Sequence, residues 1–540
     1  MRVVRRVSSL LVAIAATSAV GGCSKLVDVD LTVVEPCGQE GRTQNGVISF
    51  LLKSAGTTVK EEEGAVAFVA GDQPSIAVGL GDKVTMTLAG FPADITVGAD
   101  PLTPAVAPVV IGRTMPLSIT ESTPDVSGTL QLGLVDTFGG PRSADNVCAQ
   151  LDNGAPVAGR HAHTATFVPG ANKVLIVGGA VFNADGSETF LRSAEVYDPA
   201  TGAFSKLPDL PAPRAYHTAT ALSDGRVIIA GGLSPINQAV SAIISGLVVN
   251  IAQVDAPYAD IQLGEPRAHH TATLLEDINM LVLVGGCKGV GCDTNSAAGT
   301  STSSFTSAVE IIDTQTFASR RLGPGILATP RAMHQALGFP AGARGLVIIT
   351  GGLNATGALN SIEIIQASTN AGAPLGNVYS GNDLPTPLVR HQMTRRGGQY
   401  LITGGQSSAP DGILDDTAPG LATARLCNPI NDAAACTGLQ DMISPRFGHL
   451  AAELTDNQIL VVGGFVSGNA IVERFNVGAT PQQWSAIGAG RVVEARQRAT
   501  LTMLGGEVGS GAINQLLYTG GHSTLLPYTT SATADLYFGR

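Results

Sequence analysis

Short apolar runs that end in paired glycines recur along the later part of the chain. They read VLIVGG (174–179), VIIAGG (227–232), LVLVGG (281–286), LVIITGG (346–352), YLITGG (400–405), ILVVGG (459–464) and LLYTGG (516–521). The doublets begin at 178, 231, 285, 351, 404, 463 and 520, so successive spacings are 53, 54, 66, 53, 59 and 57. Each run is too short for a helix and too apolar for a solvated face, and so predicts a buried strand. The glycine pair lets neighbouring backbones pass where a Cβ would collide. Recurrence at this length predicts the blades or coils of a repeat architecture.

Two further patterns flank the doublets. Upstream stands Arg-x-x-His, in RHAHTATF (160–167), RAYHTATA (214–221), RAHHTATL (267–274), RAMHQALG (331–338) and RFGHLAAE (446–453). Unit five has Leu388 in the arginine place, Arg390 two residues later and His391 in the histidine place; unit seven has Arg496 but Ala499 for histidine. Downstream come alternating segments such as SAEVYD (193–198), SAVEIID (307–313), SIEIIQ (361–366) and SATADLYF (531–538), which have the period of a half-buried strand. A fourth segment follows in several units, as in FSKLPDLPAPR (204–214).

These residues resemble kelch repeats, whose marks are a Gly-Gly doublet after a β run, an aromatic-acidic third strand and a tryptophan on the fourth. The resemblance covers roughly 145–540. Only Trp484 stands in the expected tryptophan place, with Phe204 and Phe317 substituting elsewhere. The resemblance implies four antiparallel strands per blade and an all-β, seven-bladed kelch-type β-propeller over 145–540. The last unit stops at a third strand and NVCAQL (146–151) precedes the first Arg-x-x-His, so the expectation is that 146–151 closes the ring and removes two sheet edges. Residues 46–144 lack the signatures. Their period-two segments ISFLL, SIAVGL, KVTMTLAGF and TLQLGLVDTF predict a small N-terminal β-sandwich, immunoglobulin-like in kind.

The start of the chain has Arg2, Arg5 and Arg6, an apolar run from Leu10 to Val20, then Val20-Gly21-Gly22-Cys23. The run is too short to span a bilayer and reads as an export signal over 1–22. The tetrad resembles the bacterial lipobox, which implies lipidation of Cys23, a lipid-anchored spacer over 23–45 and, with Ser24 rather than Asp next, sorting to the outer membrane of a Gram-negative cell. Which side of that membrane the protein faces stays open. The six other cysteines, Cys37, Cys148, Cys287, Cys292, Cys427 and Cys436, are an even number in an exported chain and favour disulfides. Local closure points to Cys287–Cys292 and Cys427–Cys436, leaving Cys37–Cys148; a zinc site is the alternative.

Composition now fits this picture. Of 540 residues 66 are Gly and 14% are charged, too glycine-rich and too sparsely charged for long helices or coiled coils, while 44% hydrophobic residues exclude disorder. Loss of residues 1–22 removes three arginines and no acid, moving the formal charge from −11 to −14. Such a chain, without basic runs, is not built for nucleic acid, and the lipid anchor is its expected membrane contact.

In an antiparallel blade the loop entering strand one and the loop joining strands two and three share a face. Arg160, Arg214, Arg267, Arg331, Arg446 and Arg496 are therefore expected to ring one mouth of the central channel beneath variable loops. Two readings compete for them: structural bonding to neighbouring loops, or a cationic ring for an anionic glycan, carboxylate or acidic loop. His161/His163 and His269/His270 do not converge as metal ligands, and NADGSE (183–188) lacks a calcium-loop pattern. GGCKGVG and GGEVGSG lack the phosphate-loop ending, and serine-hydrolase elbows are missing. No metal or cofactor is expected. The resulting expectation is a cell-envelope binding or scaffolding module for protein or glycan ligands. The alternative is a periplasmic carbohydrate-modifying enzyme, similar to the kelch sialic acid mutarotases, with Glu494 or Glu265 as the imagined acid or base.

Overall fold

The structure is a computed structural model of the 540-residue chain. Up to residue 139 it describes the strands and short adjoining pieces at 8–16, 25–36, 49–55, 64–69, 75–77, 81–92, 109–114, 117–119, 125–135 and 137–139, with residues 39 and 47. From 159 to 539 it describes everything except 237–238, 254, 256, 290–304, 324–325, 341–343, 369–376, 381–382, 408–417, 430–435, 455–457, 468–470, 478, 480–481, 488–494, 505–513 and 524–528.

Seven four-stranded antiparallel sheets follow one another from residue 164. The first is made of Thr164–Val168, Lys173–Val177, Ala194–Asp198 and Ala203–Leu207, and the second of Thr218–Ala221, Arg226–Ala230, Ser245–Asn250 and Tyr258–Gln262. The apolar runs form each second strand and are buried on both sides, as at Val174, Leu175, Ile176 and Val177. Neighbouring sheets then pack face to face: Leu175, Val177 and Val196 of the first share a core with Val227, Ile229, Leu247 and Val249 of the second.

A ring of backbone hydrogen bonds links each sheet to the next. The second glycine of every doublet donates to the carbonyl at the next unit's arginine position: Gly179 to Arg214, Gly232 to Arg267, Gly286 to Arg331, Gly352 to Leu388, Gly405 to Arg446 and Gly464 to Arg496. The seventh, Gly521 to Arg160, closes the circle. The doublets also bend left-handed, with φ of 58° at Gly231. A Cβ there would stand 2.2 Å from the Arg267 carbonyl oxygen, so glycine is a steric requirement and not merely a turn preference. The chain is thus all-β over these sheets, with one short 3-10 turn at Glu276–Ile278.

Ring closure differs from expectation in its residues. The seventh sheet takes Thr500–Met503, Asn514–Thr519 and Ala534–Gly539 from the end of the chain, and its outer strand is Thr137–Gly139, with Thr137 opposite Phe538. An early segment does complete the last sheet, but it lies ahead of 146–151, which falls outside the described residues. Gly133 makes this approach possible, because a Cβ there would lie 2.3 Å from the Phe538 ring.

The N-terminal strands form two sheets. One places Ser8–Ala16 between Lys25–Val34 and Ser75–Ala77, with Asp125–Gln131 beyond; the other runs through Gly81–Phe91 and Ser49–Ala55. They share a core of Leu31, Phe50, Leu52, Val84, Met86, Leu88, Val126 and Leu130, the layout of a sandwich. Its pairing is mixed, since Lys25–Val34 runs parallel to Asp125–Gln131, unlike the antiparallel sheets of an immunoglobulin-like domain. Ser8–Ala16 belongs to the expected leader, so a chain cut before Cys23 lacks this strand. The alternate residues Leu51, Ala89, Phe91 and Ile111 pack on Val174, Ile176, Leu517 and Phe538, seating the second sheet on the seam of the first and seventh propeller sheets.

Cys427 and Cys436 form a disulfide beside the fifth sheet, and Cys287 is also disulfide-bonded. Cys23, Cys37, Cys148 and Cys292 lie outside the described residues. No described helix is long and apolar enough to cross a membrane.

Candidate functional site

The six arginines do not face a ligand. Arg160, Arg214, Arg267, Arg331, Arg446 and Arg496 are all 2% exposed or less. Each donates through Nη1 to the carbonyl of the first glycine in its own doublet, at 2.8 to 3.2 Å. Five also pair with an acid on the third strand: Arg160 with Glu195, Arg331 with Glu363, Arg267 with Glu310 at 2.9 Å, Arg446 with Glu473 at 2.5 Å and Arg496 with Asp535 at 2.7 Å. Burial pulls the Arg267, Arg331 and Arg446 pKa values down and the carboxylates oppose it. The expected ligand-binding ring is therefore corrected to internal staples: a left-handed doublet turns its carbonyls inward, and a buried guanidinium satisfies them.

The exceptions obey the same rule. In unit five Leu388 replaces the arginine, and Arg425 replaces the acid at the matching place opposite Ile402, so both buried charges go together. In unit two Leu247 stands opposite Ile229 where the acid would be, and Arg214 turns to Ser245 through Oγ and carbonyl.

Histidines of the motif act between blades. His217 bonds Thr164 of the preceding sheet at 2.9 Å, and His270–Thr218, His334–Thr271, His391–Thr350, His449–Thr403 and His163–Thr519 repeat the contact at 2.8 to 3.1 Å. Burial drives every one of these rings to the neutral form, with His217 and His391 brought down to about 3. At the seam lacking histidine, Tyr518 brings its hydroxyl against Gly463 beside Ala499.

The channel mouth belongs instead to the residue before each histidine, and before Ala499 in unit seven. Ala162, Tyr216, His269, Met333, Arg390, Gly448 and Arg498 all have φ between 53° and 61°. For six of the seven, which are not glycine, that is an uncommon backbone state, held here by the ring. Ala162 N–H donates to Arg498, Tyr216 to Ala162, His269 to Tyr216, Met333 to His269 and Gly448 to Arg390. A strict backbone therefore presents seven positions whose side chains almost all differ. The hairpins after the doublets rise beside them, since His161 bridges Ala180, Ala215 bridges Leu233 and Ala332 bridges Leu353. This places the two kinds of loop on one face, as connectivity requires.

Two groups of side chains gather there. On one rim Tyr216 donates to Glu188 at 3.3 Å, Arg498 lies 3.4 Å from the same carboxylate and bonds the Tyr216 hydroxyl, and buried His161 sits 3.6 Å from Glu188 while stacking on Phe182. Burial, with Arg498 second, holds the His161 pKa well below its usual value. On the other side Arg390 lies over the Phe447 ring at 5.4 Å. Between them opens a cavity of about 210 Å³ with Gln335, Gln392 and Gln497 in its wall.

These residues were visible in the motif as its variable letter. Gln335 and Gln392 occupy the place that Thr164, Thr218 and Thr271 hold in the first three units; in units four and five the latch moves to Thr350 and Thr403, leaving the glutamines to line the cavity. Glu265 instead accepts from Thr306 and pairs with Arg321, while Glu494 lies outside the described residues. No group of three or more His, Cys, Asp or Glu is placed to hold a metal ion among the described residues.

The Kelch motif matches residues 161–211 as a protein family model. Among solved structures, YjhT aligns with a TM-score of 0.44 and 11% identity, over 61% of this chain and 99% of that one. No curated protein matches the chain. Residues 161–211 carry a kelch motif, and the sheets that follow one another from there, closed by the Gly521-to-Arg160 bond, have the form of a β-propeller.

Proposed function

We propose that the protein is a lipid-anchored binding module of the cell envelope whose ligand, a protein or a glycan, docks at the channel mouth and its hairpins. The observation that carries this reading is the contrast within one motif. Arginine and histidine repeat and are consumed by the architecture, whereas the residue between them varies on a rigid left-handed ring facing the open end. A binding screen of glycans and envelope proteins with the full chain tests it. Arg498→Ala is expected to weaken the selected ligand at least tenfold with a small melting shift, because Arg498 is a rim residue and no staple. Unchanged affinity in that variant and in Tyr216→Ala would remove the mouth from consideration.

Anchoring rests on the Val20-Gly21-Gly22-Cys23 tetrad and has its own test. The exported protein is expected in the detergent phase, and Cys23→Ser in the aqueous phase or retained with an uncut leader. An aqueous wild type would end the anchor reading.

One observation favours a second reading, a carbohydrate-modifying enzyme. Glu188, Tyr216 and Arg498 are in mutual contact beside neutral His161, the kind of carboxylate–phenol–cation group that can move a proton. Mutarotation or turnover of acidic sugars, lost in Glu188→Gln, would establish it.

A further inference from the structure

We infer that the cavity between Arg390 and Arg498 is a carboxylate subsite, which takes the acidic head group of the ligand. This rests on the reading of the mouth as the binding face. Its volume of about 210 Å³ is below that of ordinary small-molecule pockets, so it suits a head group whose remainder leaves toward the hairpins. Two guanidinium groups, on ring positions with Gly448 between them, line it and offer planar donor forks, the geometry that carboxylates match; Arg498 is also held by Glu188 and Tyr216, so Arg390 carries the larger share. Gln497 adds an independent sign. It is only 3% exposed, it lines the cavity, and its amide nitrogen has no hydrogen-bond partner among the described residues. A buried donor left in that state is costly, and an oxygen of a bound acid would satisfy it. Gln335 and Gln392 complete a wall of amides in two successive blades, at the place where Thr164, Thr218 and Thr271 of the earlier units are taken up by inter-blade histidines.

The chemistry fits two sources, an acidic sugar or the side chain of Asp or Glu on a partner loop. Titrating the full chain with glutarate, glucuronate and an N-acetylated glutamate peptide, with glutaramide and glucose as uncharged counterparts, separates them. The expected result is binding of at least one acid and neither neutral analogue, weakened at least tenfold by Arg390→Gln and severalfold by Gln497→Leu. Arg226→Gln, a remote cation, should leave it unchanged. Preference for glucuronate assigns a glycan acid, and preference for the peptide assigns a protein. Equal binding of glutarate and glutaramide, or Arg390→Gln at wild-type affinity with an unchanged melt, overturns the subsite. If the screened ligand is lost in Arg498→Ala while no acid binds, the subsite fails and the binding face survives; if neither responds, both fail.

Discussion

Acidification from pH 7.5 to pH 5 is expected to destabilise the propeller by several kcal/mol, roughly 2 kcal/mol from each of His217 and His391 with losses of the same sign from four more buried histidines. His163, His217, His270, His334, His391 and His449 all bridge adjacent blades as neutral rings, and burial lowers each pKa, to about 3 for His217 and His391. In the unfolded chain the same groups titrate near 6.5. Between these values the unfolded state binds protons that the folded state refuses. Stability therefore holds above about pH 6.5 and falls as pH drops, until the folded rings themselves protonate, near 3 for His217 and His391. At pH 5 His217 and His391 each contribute a loss of roughly 2 kcal/mol and the other four rings add to it in the same direction, a large share of the 5–15 kcal/mol that keeps a typical domain folded.

Denaturant unfolding at several pH values measures this directly. The unfolding free energy should change by several kcal/mol per pH unit near pH 5. A double variant His217→Gln with His391→Gln should start less stable at pH 7.5, having lost two latches, and yet show a shallower pH slope. A free energy that stays flat down to pH 4.5 would mean that the rings are hydrated or already charged, and the inter-blade latch would have to be abandoned.

Much of this architecture could be read from the chain because repetition writes the same physical requirement seven times. The VLIVGG-type runs are buried second strands since nothing else suits four apolar residues before two glycines, and the glycines are required by the close carbonyl of the next blade, as at Gly231 and Arg267. The closing strand was harder. Thr137–Gly139 contributes three residues to the seventh sheet, too few to carry a period, and its fit depends on Gly133 making room for Phe538 from the far end of the chain. The arginines misled for a different reason. A conspicuous ring of cations looks like a binding site when only connectivity is known, and it takes the inward-turned glycine carbonyls and the acids at Glu195, Glu310, Glu363, Glu473 and Asp535 to show that each charge is already used. The residues that do face the channel were hidden as the unremarkable letter between arginine and histidine. Left-handed backbone at Tyr216, His269, Met333, Arg390 and Arg498 cannot be inferred from such ordinary residues one at a time.

Replacing one partner of a buried staple should cost far more than replacing both. Arg446 and Glu473 are each fully buried, and Arg446 also serves the carbonyls of Gly463 and Ile471. Arg446→Leu leaves the Glu473 carboxylate in the interior with only the Ile443 and Ser444 amides to bond, and is expected to destabilise by about 3–5 kcal/mol. Adding Glu473→Leu removes the stranded charge, so the double variant should recover at least half of that loss, giving a coupling energy of about 2 kcal/mol in a double-mutant cycle. Unit five supplies the natural precedent, for there Leu388 fills the arginine place with no acid opposite, and the Gly352-to-Leu388 backbone bond survives intact. The inter-blade ring runs through main-chain carbonyls and does not need the guanidinium; the guanidinium is needed where a carboxylate is buried with it. Purely additive losses would show that the glycine carbonyls, and not the ion pair, set the demand for arginine at this position.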